Sequence, residues 1–79
     1  MDSKYDFGWA LDQLRNGNKV QREGWNGKGM FLFLVHGSIS HISQVKRRPH
    51  IDIRTANGEI VPWVASQSDL LENDWALVP

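Results

Sequence analysis

Residues 30–35 are apolar at every position, and this feature constrains the fold more than any other in the chain. A strand whose side chains are all apolar is buried on both faces. A chain of 79 residues forms one domain with a modest core. One helix covers one face of such a strand, so we expect another subunit to cover the other. Oligomerisation also suits a short chain without cysteine, because disulfides and thiolate zinc sites are excluded.

An amphipathic helix is predicted before this strand. Four apolar residues at i, i+3, i+4 and i+7 form one stripe over about three turns: Phe7, Ala10, Leu11 and Leu14. Asp6 is suited to cap the start of this helix and Gly17 its end. At about 100° per residue, Trp9 points away from the stripe and is expected to be exposed. We interpret Trp9 as a subunit contact or a ligand wall, favouring the contact because interfaces are enriched in tryptophan.

The rest of the chain predicts a mainly antiparallel sheet. Residues 20–22 form a short strand, and residues 51–55 alternate between apolar and polar side chains. Asn57-Gly58 is the preferred pair for a tight hairpin turn, after which residues 59–61 return as a strand.

Further signals follow the hairpin. Pro62 has no N–H to donate, so its strand ends there or lies at an edge. Ser66 and Asp69 have the spacing of a helix capping box, and residues 75–78 form a last strand. The fold class is therefore α+β, a single domain over residues 1–79 with an N-terminal helix packed on a mainly antiparallel sheet.

Residues 36–50 carry weaker signals. A turn is predicted at residues 36–38, a short strand at 39–41 and an exposed loop at 46–49. The loop includes a basic cluster: Lys46, Arg47 and Arg48. Such charge runs are usually solvated, and the alternative is that they contact phosphates, including across a subunit boundary.

A glycine-rich run at residues 22–30 is the first candidate site. Its glycines let a ligand approach the main chain closely. Trp25 offers a stacking plane, and Asn26 and Lys28 offer polar contacts, as a planar anionic ligand such as a nucleotide requires. The alternative is a simple turn at Asn26-Gly27 with Trp25 in the core. The spacing matches neither a Walker loop nor a dinucleotide fingerprint.

Trp63 and the capping-box segment form the second candidate. As a site, Trp63 is a second aromatic wall, and Ser66, Gln67 and Asp69 bind the polar edges of a base or ribose. An open helix N-terminus also accepts anions. The alternative is a core tryptophan beside a capped helical turn.

Metal binding and catalysis are poorly supported. The three histidines fit no usual zinc spacing: His36, His41 and His50. Asp69 with Glu72 or Asp74 resembles a carboxylate pair, but acids are common near helix ends for dipole reasons. Because no nucleophile, base and orienting group stand together, we predict neither an enzyme nor a cofactor.

The charge balance indicates which partners to expect. Nine acidic residues match nine basic ones, and no apolar run is long enough to span a bilayer. Zero net charge and the absence of a basic stripe argue against nucleic-acid polymers and anionic membranes as partners. No basic and apolar N-terminal signal is present, so we expect a soluble intracellular protein.

Four segments in order carry a family resemblance: Phe7-x-x-Ala10-Leu11-x-x-Leu14-x-x-Gly17; Val20-x-Arg22-Glu23-Gly24-Trp25-Asn26-Gly27-Lys28-Gly29-Met30-Phe31-Leu32; Ile51-Asp52-Ile53-Arg54-Thr55-Ala56-Asn57-Gly58-Glu59-Ile60-Val61-Pro62-Trp63; and Ala65-Ser66-Gln67-x-Asp69-x-Leu71 with Asp74-Trp75. Together they resemble the second type of Thoeris anti-defence proteins of phages and prophages. The Trp-Asn-Gly-Lys-Gly-Met and Pro-Trp-x-Ala-Ser-Gln-x-Asp blocks make the resemblance specific. The chain departs from the family pattern at Trp9 and over residues 36–50.

The resemblance implies a sponge, which binds and sequesters cyclic nucleotide immune signals without degrading them. The ligands it implies are the glycocyclic ADP-ribose of Thoeris and, in some members, cyclic oligonucleotides of CBASS at a separate site. It also implies a helix with an antiparallel sheet, a homotetramer with ligand pockets between subunits, and action in the cytoplasm of the bacterial host.

We predict that Trp25 and Trp63 stack on bases. Base and ribose edges are assigned to Asn26, Ser66, Gln67 and Asp69. The phosphates are assigned to Arg22 or Lys28, and also to Arg54. Two rival functions are open. One is a cyclic-nucleotide phosphodiesterase that uses Asp69 and the histidines. The other is an interaction module that binds a host defence protein through Trp9 and the apolar strand.

Overall fold

A five-stranded antiparallel sheet with one helix across one face forms the framework of the protein. The structure is a computed structural model that describes residues 5–39 and 46–79. The helices are α1 (Phe7–Arg15) and α2 (Gln67–Leu71). The strands are β1 (Val20–Arg22), β2 (Phe31–Val35), β3 (Ser38–Ile39), β4 (Lys46–Arg47), β5 (His50–Arg54), β6 (Ile60–Pro62) and β7 (Trp75–Leu77). The sheet order is β6-β5-β2-β1-β7, and β3 pairs with β4 separately. The predicted α+β class is confirmed.

Helix α1 begins and ends where the sequence signals predict. The Asp6 side chain accepts a hydrogen bond from the Trp9 N–H at 2.9 Å. At the other end, Gly17 has a φ of 88°, and its N–H donates to the Leu14 carbonyl at 3.0 Å. This left-handed conformation is one that glycine adopts at little cost.

The core lies between α1 and the sheet. Its fully buried members among the described residues are apolar: Ala10, Leu14, Val20, Leu32 and Trp75. Val20 and Leu32 are directly paired across β1 and β2, which places them under the helix. The predicted stripe of α1 therefore supplies one side of the core and the central strands supply the other.

Strand β2 has one well-covered face. Leu32 is fully buried, and Leu34 packs against the same core. Phe31, Phe33 and Val35 lie on the opposite face and are half-buried. The prediction that one helix covers one side of this strand is confirmed. Cover of the other side by a second subunit stays a prediction.

The hairpin from β5 to β6 is confirmed, and Asn57-Gly58 lies in its turn as predicted. The Thr55 N–H donates to the Glu59 carbonyl at 2.8 Å, and the Gly58 N–H donates to the Thr55 carbonyl at 2.9 Å. Residues 56–58 thus form a three-residue loop, closed by Gly58 with a φ of 87°. Pro62 ends β6, which is an edge strand as predicted.

Two local predictions need correction. Lys46 and Arg47 were predicted in a loop, but they form β4 and pair with Ser38 and Ile39 while remaining exposed. Ser38 therefore belongs to a strand and not to the predicted turn, because backbone pairing satisfies polar groups that a turn would leave to water. The rest of the predicted 39–41 strand lies outside the described residues.

Trp9 is half-buried and not fully exposed. It stacks on Tyr5, with ring centroids 4.1 Å apart and an interplanar angle of 14°. It also packs against the edge of the core. A neighbouring ring from its own chain thus covers part of the surface that we assigned to a partner or ligand. Among the described helices, none has the length and apolar character needed to cross a membrane.

Candidate functional site

Arg22, the last residue of β1, is held by two carboxylates. Its Nε and Nη2 donate to the two Asp74 oxygens at 2.8 and 3.2 Å. Its Nη1 donates to Asp69 Oδ1 at 2.9 Å. The side chains of Arg22 and Asp69 are each only 14% exposed. Bidentate, charge-assisted hydrogen bonds of this kind have strong directional preferences, so they orient all three side chains.

Asp69 links helix α2 to Trp25. Its Oδ1 also accepts from the Trp25 indole N–H at 3.2 Å. The predicted capping box is confirmed, since Ser66 Oγ accepts from the Asp69 N–H at 3.1 Å and Asp69 Oδ2 from the Ser66 N–H at 3.4 Å. The Asp69 carbonyl accepts from the Trp75 indole at 3.0 Å. The motif that caps α2 therefore also sets the orientation of Trp25.

Asp74 binds the start of the glycine-rich loop. The Gly24 N–H donates to Asp74 Oδ2 at 2.9 Å. A Cβ at position 24 would lie 2.7 Å from that oxygen, so only glycine lets the carboxylate approach this closely. The sequence pattern suggests Asp74 only as a possible catalytic acid and carries no signal for this structural role.

The same contacts shift the pKa values of these groups. Hydrogen bonds from Arg22, helped by the Gly24 N–H, lower the pKa of Asp74 despite its partial burial. Burial alone raises the pKa of Asp69, but hydrogen bonds from Arg22 and Trp25 outweigh it and leave the pKa below its usual value. Hydrogen bonding to Asp74 raises the pKa of Arg22 further above neutrality. Both carboxylates are therefore ionised at neutral pH and are poorly suited to act as proton donors.

Acid is expected to destabilise the protein through these two carboxylates. An unfolded Asp has a pKa of about 3.9, and both folded values lie lower. At pH values between the folded and the unfolded pKa, the unfolded chain binds more protons than the folded chain, so the free energy of unfolding rises with pH. The stabilising contribution of the two carboxylates is complete above about pH 5. We expect the melting temperature to fall as the pH drops from about 5 through the folded pKa values.

Thermal melts of two variants check this pH dependence. Asp74→Asn removes one ionisable partner of Arg22, so its melting temperature should be lower at neutral pH and should change less with acid. Asp12→Asn is the matched control, because the Asp12 side chain is 72% exposed and its ion pair with Arg15 is long, at 3.7 Å. An equally flat profile for the control would contradict the assignment.

Trp25 and Trp63 both contact the buried Trp75. Trp25 meets it edge-on, with centroids 5.5 Å apart and an angle of 80°. Trp63 does the same at 6.1 Å and 86°, and also packs against Phe7 at 5.6 Å. Each ring is half-buried and packs against the core. The two predicted aromatic walls thus pack against the same buried side chain, that of Trp75.

The loop between Trp25 and β2 is braced against the β5–β6 hairpin. Arg54 Nη1 donates to the Gly29 carbonyl at 2.8 Å, and Gly29 has a φ of 77°. A Cβ at position 27 would lie 2.6 Å from Met30 Sδ and 2.7 Å from Ala56 Cβ. Glycine at position 27 permits this close packing. One N–H group of the Arg54 guanidinium is occupied by its hydrogen bond to the loop.

A cleft of about 360 Å³ opens beside this loop. Its walls come from the end of β1 and from the glycine-rich run: Gln21, Arg22, Glu23, Trp25, Gly27, Lys28, Gly29 and Met30. Lys28 is exposed, and within the described part of the chain it has no ion-pair partner. The cleft therefore offers an indole face, main-chain surface at glycines, and an available cation.

The structure brings only some of the predicted site residues into this cleft. Arg22, Trp25 and Lys28 line it. Asp69 and Arg54 do not line the cleft but bind residues that do: Asp69 accepts from the Trp25 indole, and Arg54 donates to the Gly29 carbonyl. The others are placed elsewhere: Asn26 exposed in the loop, Trp63 against Phe7 and Trp75, and Ser66 and exposed Gln67 at the start of α2. Their roles in ligand binding stay predictions.

The structure also places in the cleft residues that had no individual role in the prediction. Gln21, Glu23 and Met30 contribute to the cleft. Glu23 and Met30 belong to the glycine-rich run at residues 22–30 that was predicted as a site, and the nearest signal for Gln21 is its position beside Arg22. Among the described residues, no group of His, Cys, Asp and Glu side chains is arranged to hold a metal ion. His41 lies outside them.

Comparison with known proteins identifies the family of the chain. Residues 5–78 match the family described as Thoeris anti-defense 2-like domain. The chain is also 41% identical over 88 aligned positions to Thoeris anti-defense 2 of Bacillus phage SP01, with 99% of each chain covered. The chain therefore belongs to the Thoeris anti-defense 2 family, and this membership supports an anti-Thoeris function in phage.

Proposed function

We propose that the protein binds and sequesters a cyclic nucleotide immune signal without cleaving it. The proposed ligands are the glycocyclic ADP-ribose of Thoeris and cyclic oligonucleotides of CBASS, and the proposed place of action is the cytoplasm of the bacterial host. The observation that carries the proposal is the Trp25 cleft, where an oriented indole, glycine main chain and an available lysine meet. Family membership adds the anti-defence context.

Trp25 and Lys28 are the proposed contacts within one chain. The half-buried indole of Trp25 lines the cleft and is proposed to stack on a base, a contact worth about 1–3 kcal/mol. Lys28 is the proposed phosphate contact, since the Arg22 guanidinium already binds two carboxylates. Arg22 and Asp69 then serve to position Trp25. Asn26 remains a proposed contact to a base or ribose edge.

The pocket is proposed to be completed by a second subunit. The cleft volume of about 360 Å³ lies near the lower end of the roughly 300–1,000 Å³ typical of small-molecule pockets. A cyclic nucleotide with two bases or riboses needs a second wall. We propose that Trp63, Ser66, Gln67 and Arg54 supply polar and aromatic contacts to this composite pocket in a homotetramer.

Sequestration requires tight binding. A nanomolar complex needs roughly 12 kcal/mol. Aromatic stacks and charge-assisted hydrogen bonds approach that value only if little conformational entropy is lost when the site residues become ordered on binding. The contacts of Trp25 with Asp69 and Trp75, and of Gly29 with Arg54, support a preformed pocket.

A capture-and-release experiment tests this function. The protein is incubated with glycocyclic ADP-ribose or a cyclic dinucleotide, the unbound fraction is filtered away, and the protein is heated. We expect depletion of the filtrate in proportion to protein, followed by recovery of intact ligand. A converted product, or turnover at a low protein-to-ligand ratio, would favour a phosphodiesterase and overturn the sponge proposal. Absence of depletion with every ligand, together with capture of a host defence protein in a pull-down, would favour the interaction module.

A further inference from the structure

The sequence contains three Asn-Gly pairs, and each of them lies in a loop. They follow α1 at residues 16–17, lie in the glycine-rich loop at residues 26–27, and lie in the turn between β5 and β6 at residues 57–58. All three asparagines are exposed. Asparagine is thermolabile, and a following glycine favours its deamidation because no side chain shields the next main-chain nitrogen. The contacts of that nitrogen therefore decide which pair reacts.

Hydrogen bonds hold the glycine nitrogen in two of the three pairs. The Gly17 N–H donates to the Leu14 carbonyl at 3.0 Å, and the Gly58 N–H donates to the Thr55 carbonyl at 2.9 Å. Both glycines have a left-handed backbone, with φ of 88° and 87°. Neither nitrogen can attack the preceding side chain unless this hydrogen bond breaks and the turn opens. Asn16 and Asn57 are thus protected by the fold.

The Gly27 nitrogen lacks this protection. Among residues 5–39 and 46–79, its N–H donates no hydrogen bond, and the Asn26 carboxamide has no hydrogen-bond partner. The residues held by hydrogen bonds are Trp25 on one side and Gly29 on the other. The Asn26 side chain is therefore able to rotate towards the Gly27 nitrogen.

The reaction at this pair consumes only water. The Gly27 nitrogen attacks Asn26 Cγ, so an N–C bond forms, the Cγ–Nδ2 bond breaks, and ammonia leaves with the proton of the N–H. Water then opens the succinimide ring at one of its two carbonyls. One opening gives aspartate, and the other gives isoaspartate, in which the main chain runs through Cβ and Cγ. Either product replaces a neutral amide by a carboxylate.

Both products change the Trp25 cleft. The new carboxylate lies two residues from Lys28, the available cation of the cleft, and competes with a bound phosphate for it. Isoaspartate also lengthens the main chain beside Gly27, where a Cβ would already lie 2.6 Å from Met30 Sδ. Because this packing leaves no room for an added atom, the longer chain displaces the loop.

We propose that Asn26 is a site of spontaneous deamidation, and that its conversion lowers the affinity of the Trp25 cleft for anions as the protein ages. The conversion itself depends only on the contacts of Asn26 and Gly27, whereas its effect on binding rests on the proposed function. A ligand that contacts Asn26 holds the carboxamide away from the Gly27 nitrogen. The occupied protein is therefore expected to convert more slowly than the free protein.

Mass spectrometry of the wild-type protein, incubated without ligand at mildly alkaline pH, tests the conversion. Trypsin cleaves on both sides of residues 23–28, which separates Asn26 from the other asparagines. We expect Asn26 to convert at least about fivefold faster than Asn16 or Asn57, since each of those must first lose a hydrogen bond. In urea, where the turns are lost, the three rates should become similar. Equal rates in the folded protein, or an excess at Asn26 that persists in urea, would overturn the inference.

Two variants test the effect on binding. Asn26→Asp reproduces one product, and we expect it to bind glycocyclic ADP-ribose or a cyclic dinucleotide at least about tenfold more weakly than the wild type. Asn16→Asp is the matched control, because it adds the same charge outside the cleft and should bind as the wild type does. Undiminished binding by Asn26→Asp would overturn the proposed loss of affinity. If Asn26 converts fastest but no protein binds nucleotide, the sponge proposal fails and the deamidation site stands.

Discussion

Replacing Arg22 by methionine is expected to lower the free energy of unfolding by about 3 kcal/mol. The change leaves Asp69 and Asp74 close together and largely buried without the cation that both bind. Asp69 keeps its hydrogen bonds from Trp25 and Ser66, which limits the loss. Urea unfolding, monitored by tryptophan fluorescence at one protein concentration, measures this loss in the free energy of unfolding.

Arg15→Met is the matched control for that variant. Arg15 also faces an aspartate, Asp12, but at 3.7 Å and with the two side chains 65% and 72% exposed. Exposed pairs of this kind contribute roughly 0.2–1 kcal/mol. Equal losses for both arginine variants would show that the buried network contributes no more than a surface pair.

A further substitution tests whether charge is responsible. Arg22→Met combined with Asp74→Asn removes the cation and one of its carboxylates. We expect the double variant to lose less than the sum of the two single variants, because each single change leaves a charge without its partner. Additive losses would contradict the coupling.

Replacing Trp25 by alanine is expected to weaken nucleotide binding by roughly 5- to 150-fold, which corresponds to about 1–3 kcal/mol. The indole lines the cleft and is held by Asp69 and by edge contact with Trp75. Isothermal titration with glycocyclic ADP-ribose or a cyclic dinucleotide measures the change. If an intact, correctly assembled Trp25→Ala protein binds with undiminished affinity, the glycine-rich loop does not belong to the site.

Two other variants sharpen this test. Trp25→Phe keeps an aromatic face but loses the indole N–H that donates to Asp69, so it should retain more affinity than Trp25→Ala if stacking dominates. Trp9→Phe controls for the general loss of an indole, because Trp9 is half-buried against Tyr5 and outside the Trp25 cleft. We expect it to bind nucleotide as the wild type does.

The secondary structure was largely predictable because its signals are local. The apolar stripe and caps of α1, the hairpin before Pro62 and the capping box of α2 each depend on residues close in sequence. The prediction was wrong at β4. Strand pairing depends there on backbone hydrogen bonds that residue type alone does not reveal.

The candidate site was predictable in composition but only partly in arrangement. Trp25, Lys28 and Arg22 were identified from a run of nearby residues and line one cleft. Arg22 pairs with Asp69 and Asp74, which lie 47 and 52 positions further along the chain, so these contacts could not be read from neighbouring residues. The predicted phosphate role of Arg22 falls on a side chain that binds Asp69 and Asp74 of its own chain.

The sequence by itself determined the α+β class, the ends of α1, and the glycine-rich loop, because periodicity, caps and glycine preferences act over a few residues. Only the tertiary structure decided which charged groups remain available for a ligand and which sheet face remains open. Those outcomes depend on which distant strands become neighbours, since β1 beside β7 brings Arg22 to Asp74. Lys28 is left as the available cation of the cleft among the described residues.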